Sequence, residues 1–179
     1  MRFHIIAVLA AGALPAIARA QSPERIPIPY RTYVAVNPLG IPFDIVSAEI
    51  ESAVAPGITV GALASYTSID GDRYTTVDGT VRYYPGEVVL RGFSLGASIG
   101  RTHFRTKQVL TPTEELHPTA DFATLGLLVD YNWMLGARRR FIVGGGVGGK
   151  RVLANAAIRE RVGIDKAYAT VRFVVGIAF

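Results

Sequence analysis

The sequence predicts an all-β chain: an eight-stranded, antiparallel, up-and-down transmembrane β-barrel. Three observations predict it. The last stretch, 166–179, alternates strictly, with Ala167, Ala169, Val171, Phe173, Val175, Ile177 and Phe179 against Lys166, Tyr168, Thr170, Arg172, Val174, Gly176 and Ala178. Period-2 alternation is the mark of a strand with two environments. Half of the sequence is hydrophobic. Yet beyond the first twenty residues no run of about 18 apolar residues remains to make a membrane helix, so the apolar residues belong to a β core or to lipid-facing strands. Last, the links between alternating segments sort by length, short at one end and long at the other, as in outer-membrane barrels.

Taken in order, 1–20 reads as a signal peptide. Arg2 supplies the basic start, 5–17 an apolar core too short to span a bilayer, and Ala18-Arg19-Ala20 a small-x-small cleavage site. The mature chain of about 160 residues then has the length of one domain. Residues 21–31 carry three prolines and read as an extended periplasmic lead-in. The barrel domain is 32–179. Its first segment is 32–37, broken by Pro38-Leu39-Gly40-Ile41-Pro42. The second is 43–54, with Val46, Ala48, Ile50, Ser52 and Val54 on one face and Ser47, Glu49, Glu51 and Ala53 on the other.

A turn at Pro56-Gly57 leads to the third segment, 58–67, and a loop at Asp70-Gly71-Asp72 to the fourth, 73–84. There Thr75, Val77, Val81 and Tyr83 oppose Tyr74, Thr76, Asp78, Thr80 and Arg82. A tight turn at 85–87 precedes the fifth, 88–106. A polar loop, 108–120, precedes the sixth, 121–134. The turn 135–139 gives the seventh, 140–153, and the loop 154–164 the eighth, 166–179. The number is even, as single-chain outer-membrane barrels require. It rests on 38–42 turning the chain; without that turn the count is seven and the termini fall at opposite ends.

The two faces differ in a way that a soluble barrel would reverse. Tyr83, Tyr131, Trp133, Phe141, Phe173 and Phe179 lie on the apolar face, several near strand ends, where ring and polar tip suit the headgroup zone. The opposite face carries Glu49, Glu51, Asp78, Arg82, Asp130, Lys150 and Arg172. In a narrow eight-stranded lumen these charges are expected as a paired network filling the interior. Closing the barrel sets strand eight beside strand one and near strand two, which brings Arg172 and Lys166 toward Glu49 and Glu51. Arg82 and Asp78 share strand four; Asp130 and Lys150 are on neighbouring strands. A gate or an acid–base pair is the functional alternative for the same residues.

Other chemistry finds less support. With Arg2 and Arg19 removed, the formal charge falls from +5 to +3, and the basic residues form no stripe interleaved with aromatics, so nucleic acid is not an expected partner. With no cysteine and two distant mature histidines, His103 and His117, no metal set and no cofactor site is expected. No serine stands beside either histidine to act as a nucleophile. Gly144-Gly145-Gly146-Val147-Gly148-Gly149 lies within an alternating segment and lacks the Gly-Lys-Ser/Thr ending of a phosphate loop; close approach of the lumen filling, or sharp curvature, explains it better. The loop 108–120, with Glu114-Glu115, is the place for an extracellular ligand.

Val36-Asn37-Pro38-Leu39-Gly40, Glu49-x-Glu51, Val81-Arg82-Tyr83-Tyr84-Pro85 and Leu90-Arg91-Gly92-Phe93 together resemble a family of small, uncharacterised bacterial outer-membrane β-barrel proteins. The layout as a whole is similar to OmpA- and OmpX-type barrels. The motifs cover roughly 33–93. The resemblance implies a fold and the outer membrane of a Gram-negative-type bacterium, with outer-membrane lipid as surroundings, and brings no activity. The terminal Phe179 resembles the aromatic ending by which the outer-membrane assembly machinery recognises such barrels. The expectation is a non-catalytic barrel with a structural or surface-interaction role. The alternatives are a narrow pore for small solutes or a lipid A-modifying enzyme.

Overall fold

The structure, a computed structural model, describes residues 30–69, 71–86, 88–105, 108–111, 114–116, 119–156, 159 and 164–179. The expected signal segment 1–20, the lead-in up to residue 29, and His117 lie outside the described residues. Among the described residues ten strands form: β1 (Thr32–Val36), β2 (Ile45–Ala55), β3 (Ile58–Ile69), β4 (Asp72–Tyr83), β5 (Gly92–Arg105), β6 (Gln108–Thr111), β7 (Glu114–Leu116), β8 (Thr119–Leu135), β9 (Phe141–Leu153) and β10 (Ala167–Ala178). Eight close into an antiparallel barrel, β1-β2-β3-β4-β5-β8-β9-β10 and back to β1; β6 and β7 pair separately as a small hairpin. This is the predicted eight-stranded up-and-down barrel. Every barrel strand has two partners, so no edge is left with unpaired backbone groups.

The seam is the pairing of the first and last strands, with Tyr33 opposite Ala178 and Val36 opposite Val175. It is extended by Phe179, whose N–H donates to the Thr32 carbonyl at 2.8 Å and whose carbonyl accepts from the Thr32 N–H at 3.1 Å. The chain does turn at 38–42. Asn37 Oδ1 accepts from the N–H groups of Leu39 and Gly40 at 3.1 and 3.2 Å, and Pro42 helps start a 3-10 turn, Ile41–Phe43. Asp44, left-handed at φ 55°, ends it. An Asx side chain offering the backbone a local acceptor reverses the chain here, and this fixes the strand count as even.

The barrel is apolar outside and polar inside. On β10 Val171 is 80% exposed while its neighbour Arg172 is buried, with its side chain 6% exposed. Outward residues such as Val77, Ile99, Leu127 and Val147 are all more than half exposed. In water this inversion would expose a continuous hydrophobic belt; in a bilayer it satisfies both faces. Tyr83, Phe93, Phe141 and Phe179, each about half exposed, gather at the end of the barrel that holds the termini, beside the tilted ring pair of Tyr131 and Trp133, whose centroids are 4.6 Å apart.

The connections differ from the expected ones in three places. The link between β4 and β5 is not a tight turn at 85–87 with a strand from Val88. It runs over 84–91, and β5 begins at Gly92. The segment folds in under the barrel, burying Tyr84 and Leu90 completely, with Leu90 held left-handed at φ 66° and Gly92 at φ 87°. Burial of Leu90 outweighs the rule that a strand should begin with the apolar run. At the other end, β3 and β4 are joined by only two residues, 70 and 71, so the loops there are not uniformly long. The expected polar loop 108–120 contains the β6–β7 hairpin, and β8 starts inside it, at Thr119.

Candidate functional site

The lumen has two unlike halves. In the half nearer the termini the interior is filled. Tyr33, Ala35, Leu90, Met134, Ile142, Val174 and Ala178 form an apolar plug, with Tyr30 and Val89 against it. Alongside lies a charged layer whose ionised groups come from four strands, β2, β4, β8 and β10. Arg172 of β10 clamps Glu49 of β2: Nε donates to Oε2 at 3.1 Å and Nη2 to Oε1 at 2.5 Å. Its Nη1 donates to Asn132 Oδ1 at 3.0 Å and lies 3.6 Å from Asp130 Oδ1. Arg82 of β4 reaches three carboxylates. Its Nη1 is in close contact with Glu51 Oε2, its Nε donates to Asp130 Oδ2 at 3.2 Å, and its Nη2 stands 3.6 Å from Glu49 Oε2.

Neutral side chains complete the layer. Glu51 Oε1 accepts from Thr59 Oγ1 at 2.5 Å and from Tyr84 Oη at 2.7 Å. Asp130 Oδ1 accepts from Ser94 Oγ at 2.7 Å, and Asn132 Nδ2 donates to Tyr84 Oη at 3.2 Å. Tyr33 Oη, which accepts from Arg172 Nη2 at 2.9 Å, touches Glu49 Oε1 and lies 2.7 Å from Glu51 Oε2. One hydroxyl hydrogen thus has two carboxylates to serve. Three carboxylates and two guanidinium groups give the layer a formal charge of −1, spread over a dense set of donors. Buried charge is tolerable in this form, because each carboxylate is both paired and hydrogen-bonded.

The glycine run makes the layer fit. A Cβ on Gly144 would collide with Asn132 Oδ1 and come within 2.8 Å of Arg172 Nη1, and one on Gly146 would strike the Asp130 side chain. At Gly144 and Gly146 of β9, therefore, the lumen face is left without side chains so that its neighbours can cross. The reading of the run as room for the lumen filling needs no nucleotide.

In the half nearer the long loops the lumen is open, with a cavity of about 700 Å³ whose floor is Glu49, Arg82 and Arg172. Its walls carry small and hydroxyl side chains such as Ser65, Thr76, Ser98 and Thr102. Phe122, Tyr74 and Ile164 narrow its mouth, packed with the buried Phe104 and Val152. A separate ion pair crosses this half: Lys150 Nζ of β9 donates to Asp78 Oδ2 of β4 at 2.5 Å. Asp78 Oδ1 and Thr124 Oγ1 are buried and have no partner among the described residues.

The seven expected lumen residues thus fall into two groups, with partners that differ in part from those expected. Arg172 meets Glu49, but Lys166 does not reach strand two. It lies just before β10, exposed, at the loop end of the barrel, ten residues from the Gly176 level at which β10 flanks the strand facing Glu49. Asp130 and Lys150, though on adjacent strands, stand at different levels: Asp130 is opposite Gly146 and Lys150 opposite Gly126. Arg82 and Asp78 share a strand yet bind in different groups. Tyr33, Thr59, Tyr84, Ser94 and Asn132 were not singled out from sequence. Their parity was a usable signal for Tyr33, Ser94 and Asn132, each on the same face as a charged residue or facing one.

His103 points outward on β5, away from the lumen, with Asp121 of β8 as cross-strand neighbour and Nδ1 to Oδ1 at 3.3 Å. Thr75 of β4 lies opposite it on the other side. No hydroxyl hydrogen-bonded to the ring is found among the described residues.

No protein-family model matches the chain, and no curated protein matches its sequence. Among solved structures it is similar to the Yersinia pestis outer membrane protein Ail, determined as a backbone structure in a phospholipid bilayer nanodisc. The two are 12% identical, with a TM-score of 0.47 over 84% of this chain and 99% of that one. At that identity the likeness says nothing of function.

Proposed function

We propose that the chain is a non-catalytic outer-membrane barrel whose role is structural or surface-interacting, with a lumen that conducts no ions. The observation that carries the reading is the charged layer of Glu49, Glu51, Arg82, Asp130 and Arg172 set against the apolar plug. An ion crossing would have to break buried pairs and then pass a dry, side-chain-filled section. In this reading a signal peptide is removed after Ala20, the termini stand in the periplasm, and Phe179 is read by the assembly machinery. The loop-end segments, 108–120 among them, meet the surroundings of a Gram-negative-type cell. The cavity is then a blind cup open toward those loops.

The purified barrel in planar bilayers should pass no current above that of lipid alone, and should migrate anomalously on gels until boiled. Stepwise conductance from the unmodified chain would defeat the sealed-lumen reading and favour a narrow pore. A second reading, a lipid-modifying enzyme, draws on the outward His103–Asp121 pair. An unchanged lipid A profile in cells that gain the protein removes it.

A further inference from the structure

The outer surface of the barrel carries an asymmetry that the lumen does not explain. At the end holding the termini the outward positions are aromatic: Tyr83 closes β4, Phe93 stands at the start of β5, and Phe141 begins β9. At the other end of the same three strands the outward positions are arginine: Arg73, Arg105 and Arg151, all exposed. The spacing is regular. Ten residues separate Tyr83 from Arg73, twelve Phe93 from Arg105, and ten Phe141 from Arg151. At about 3.3 Å per residue and a tilt of about 40°, ten residues rise roughly 25 Å, the height of the apolar band of such barrels. With the aromatic rings in one headgroup layer, the guanidinium groups lie in the other.

Among the described residues nothing neutralises the arginines. Arg73 and Arg105 are direct cross-strand partners, both pointing outward. Like charges so placed repel. Asp121, which faces outward on β8 between β5 and β9, is engaged by Arg101 at 3.5 Å and by His103 at 3.3 Å. Arg73, Arg105 and Arg151 have no ion-pair partner among the described residues. Nor do the arginines form a ring around the barrel. They sit on one side of the barrel, on β4, β5 and, beyond β8, β9, whereas on β3 the residue opposite Arg73 is Ser68 and the outward positions at the loop ends of β1 and β2 are Val36 and Val46.

We propose that this sector binds phosphate-bearing lipid headgroups of the leaflet next to the long loops, with a phosphate seated between Arg73 and Arg105 and the acyl chains lying against the apolar belt below. Guanidinium is the group suited to this, since its fork matches phosphate oxygens and it is weakly hydrated. A phosphate between the two arginines turns a repulsive pair into a shared site. The apolar belt begins at Val77 on β4 and Ile99 on β5, below Thr75 and the polar cluster of Arg101, His103 and Asp121, so a lipid held by its phosphate at the arginines can lay its acyl chains along the barrel, which free phosphate cannot. The proposal rests on the reading of the chain as a membrane-spanning barrel.

The test uses the full mature chain refolded into nanodiscs of phosphatidylcholine containing one part in ten of phosphatidic acid, a phosphomonoester lipid. Lipids retained on the released protein are counted by native mass spectrometry, and insertion is checked separately by protease protection and by heat-dependent gel migration. The unmodified protein should retain phosphatidic acid well above its share of the bilayer. The double variant Arg73→Gln, Arg105→Gln should lose about tenfold or more of that preference, while Arg31→Gln, at the terminus end, keeps it. Millimolar inorganic phosphate should not displace the lipid. An inserted protein without the preference, or a double variant that keeps it, overturns the proposal alone. A chain that fails to insert overturns the membrane reading, and the proposal with it.

Discussion

The two halves of the lumen are built from the same strands and the same alternation, yet one is packed and the other hollow. On β9, Gly144 and Gly146 stand where Arg172, Asn132 and Asp130 cross the barrel, and every carboxylate in that half has several donors. Farther along the same strands, Lys150 and Asp78 make one bond across the interior, a buried carboxylate oxygen is left over, and about 700 Å³ stays open. The difference teaches that alternation decides only which residues face inward. Whether they fill the space depends on reach. Arginine, glutamate and tyrosine span a narrow barrel from opposite walls; serine, threonine and glycine do not.

The comparison predicts where the barrel is stiff. Arg172→Ala should cost the most, about 3–5 kcal/mol, because it leaves Glu49 buried with its bidentate partner gone. The measure is urea unfolding of the refolded barrel in detergent or lipid. Adding Glu49→Ala should recover a good part of the loss, since the orphaned charge leaves with it. A single variant as stable as the parent would mean that the layer is not held by its ion pairs.

Lys150→Ala comes next, at about 1–2 kcal/mol. It removes a single bond to Asp78, and the adjoining cavity has room for water to hydrate the carboxylate. The useful quantity is the gap between the two variants. If Lys150→Ala cost as much as Arg172→Ala in the same titration, the upper lumen would be as dry as the lower, and the contrast between the halves would fail.

Much of this arrangement is legible in the sequence alone. Period 2 is enforced by the backbone, so the inward position of Glu49, Glu51, Asp78, Arg82, Asp130, Lys150 and Arg172 could be read residue by residue. The even strand number could be read as well, given a turn at 38–42. Partner choice could not. It depends on the stagger between strands, which puts Asp130 opposite Gly146 and Lys150 opposite Gly126, four residues apart. Nor could the segment 84–91 be read as a plug. Val88-Val89-Leu90 looks like the start of a strand, and the left-handed Leu90 that turns it inward is chosen by the apolar space beneath the barrel. The glycines of β9 were recognised as room for something; what fills that room is set by side chains on β8 and β10.

The smallest expected effect probes the hollow half directly. Ser65 points into the cavity from β3, opposite Thr76 of β4. Ser65→Leu adds three carbons to a wall that faces open space, so it meets no neighbour that must move and leaves the charged layer untouched. Its cost in urea unfolding should stay within about 0.5 kcal/mol, the range of substitutions that disturb no packed group. Overpacking a filled interior costs about 1–3 kcal/mol by comparison. A loss of that larger size from Ser65→Leu would show that the upper lumen is closed around its own side chains, and the cup would then have no volume to offer a ligand.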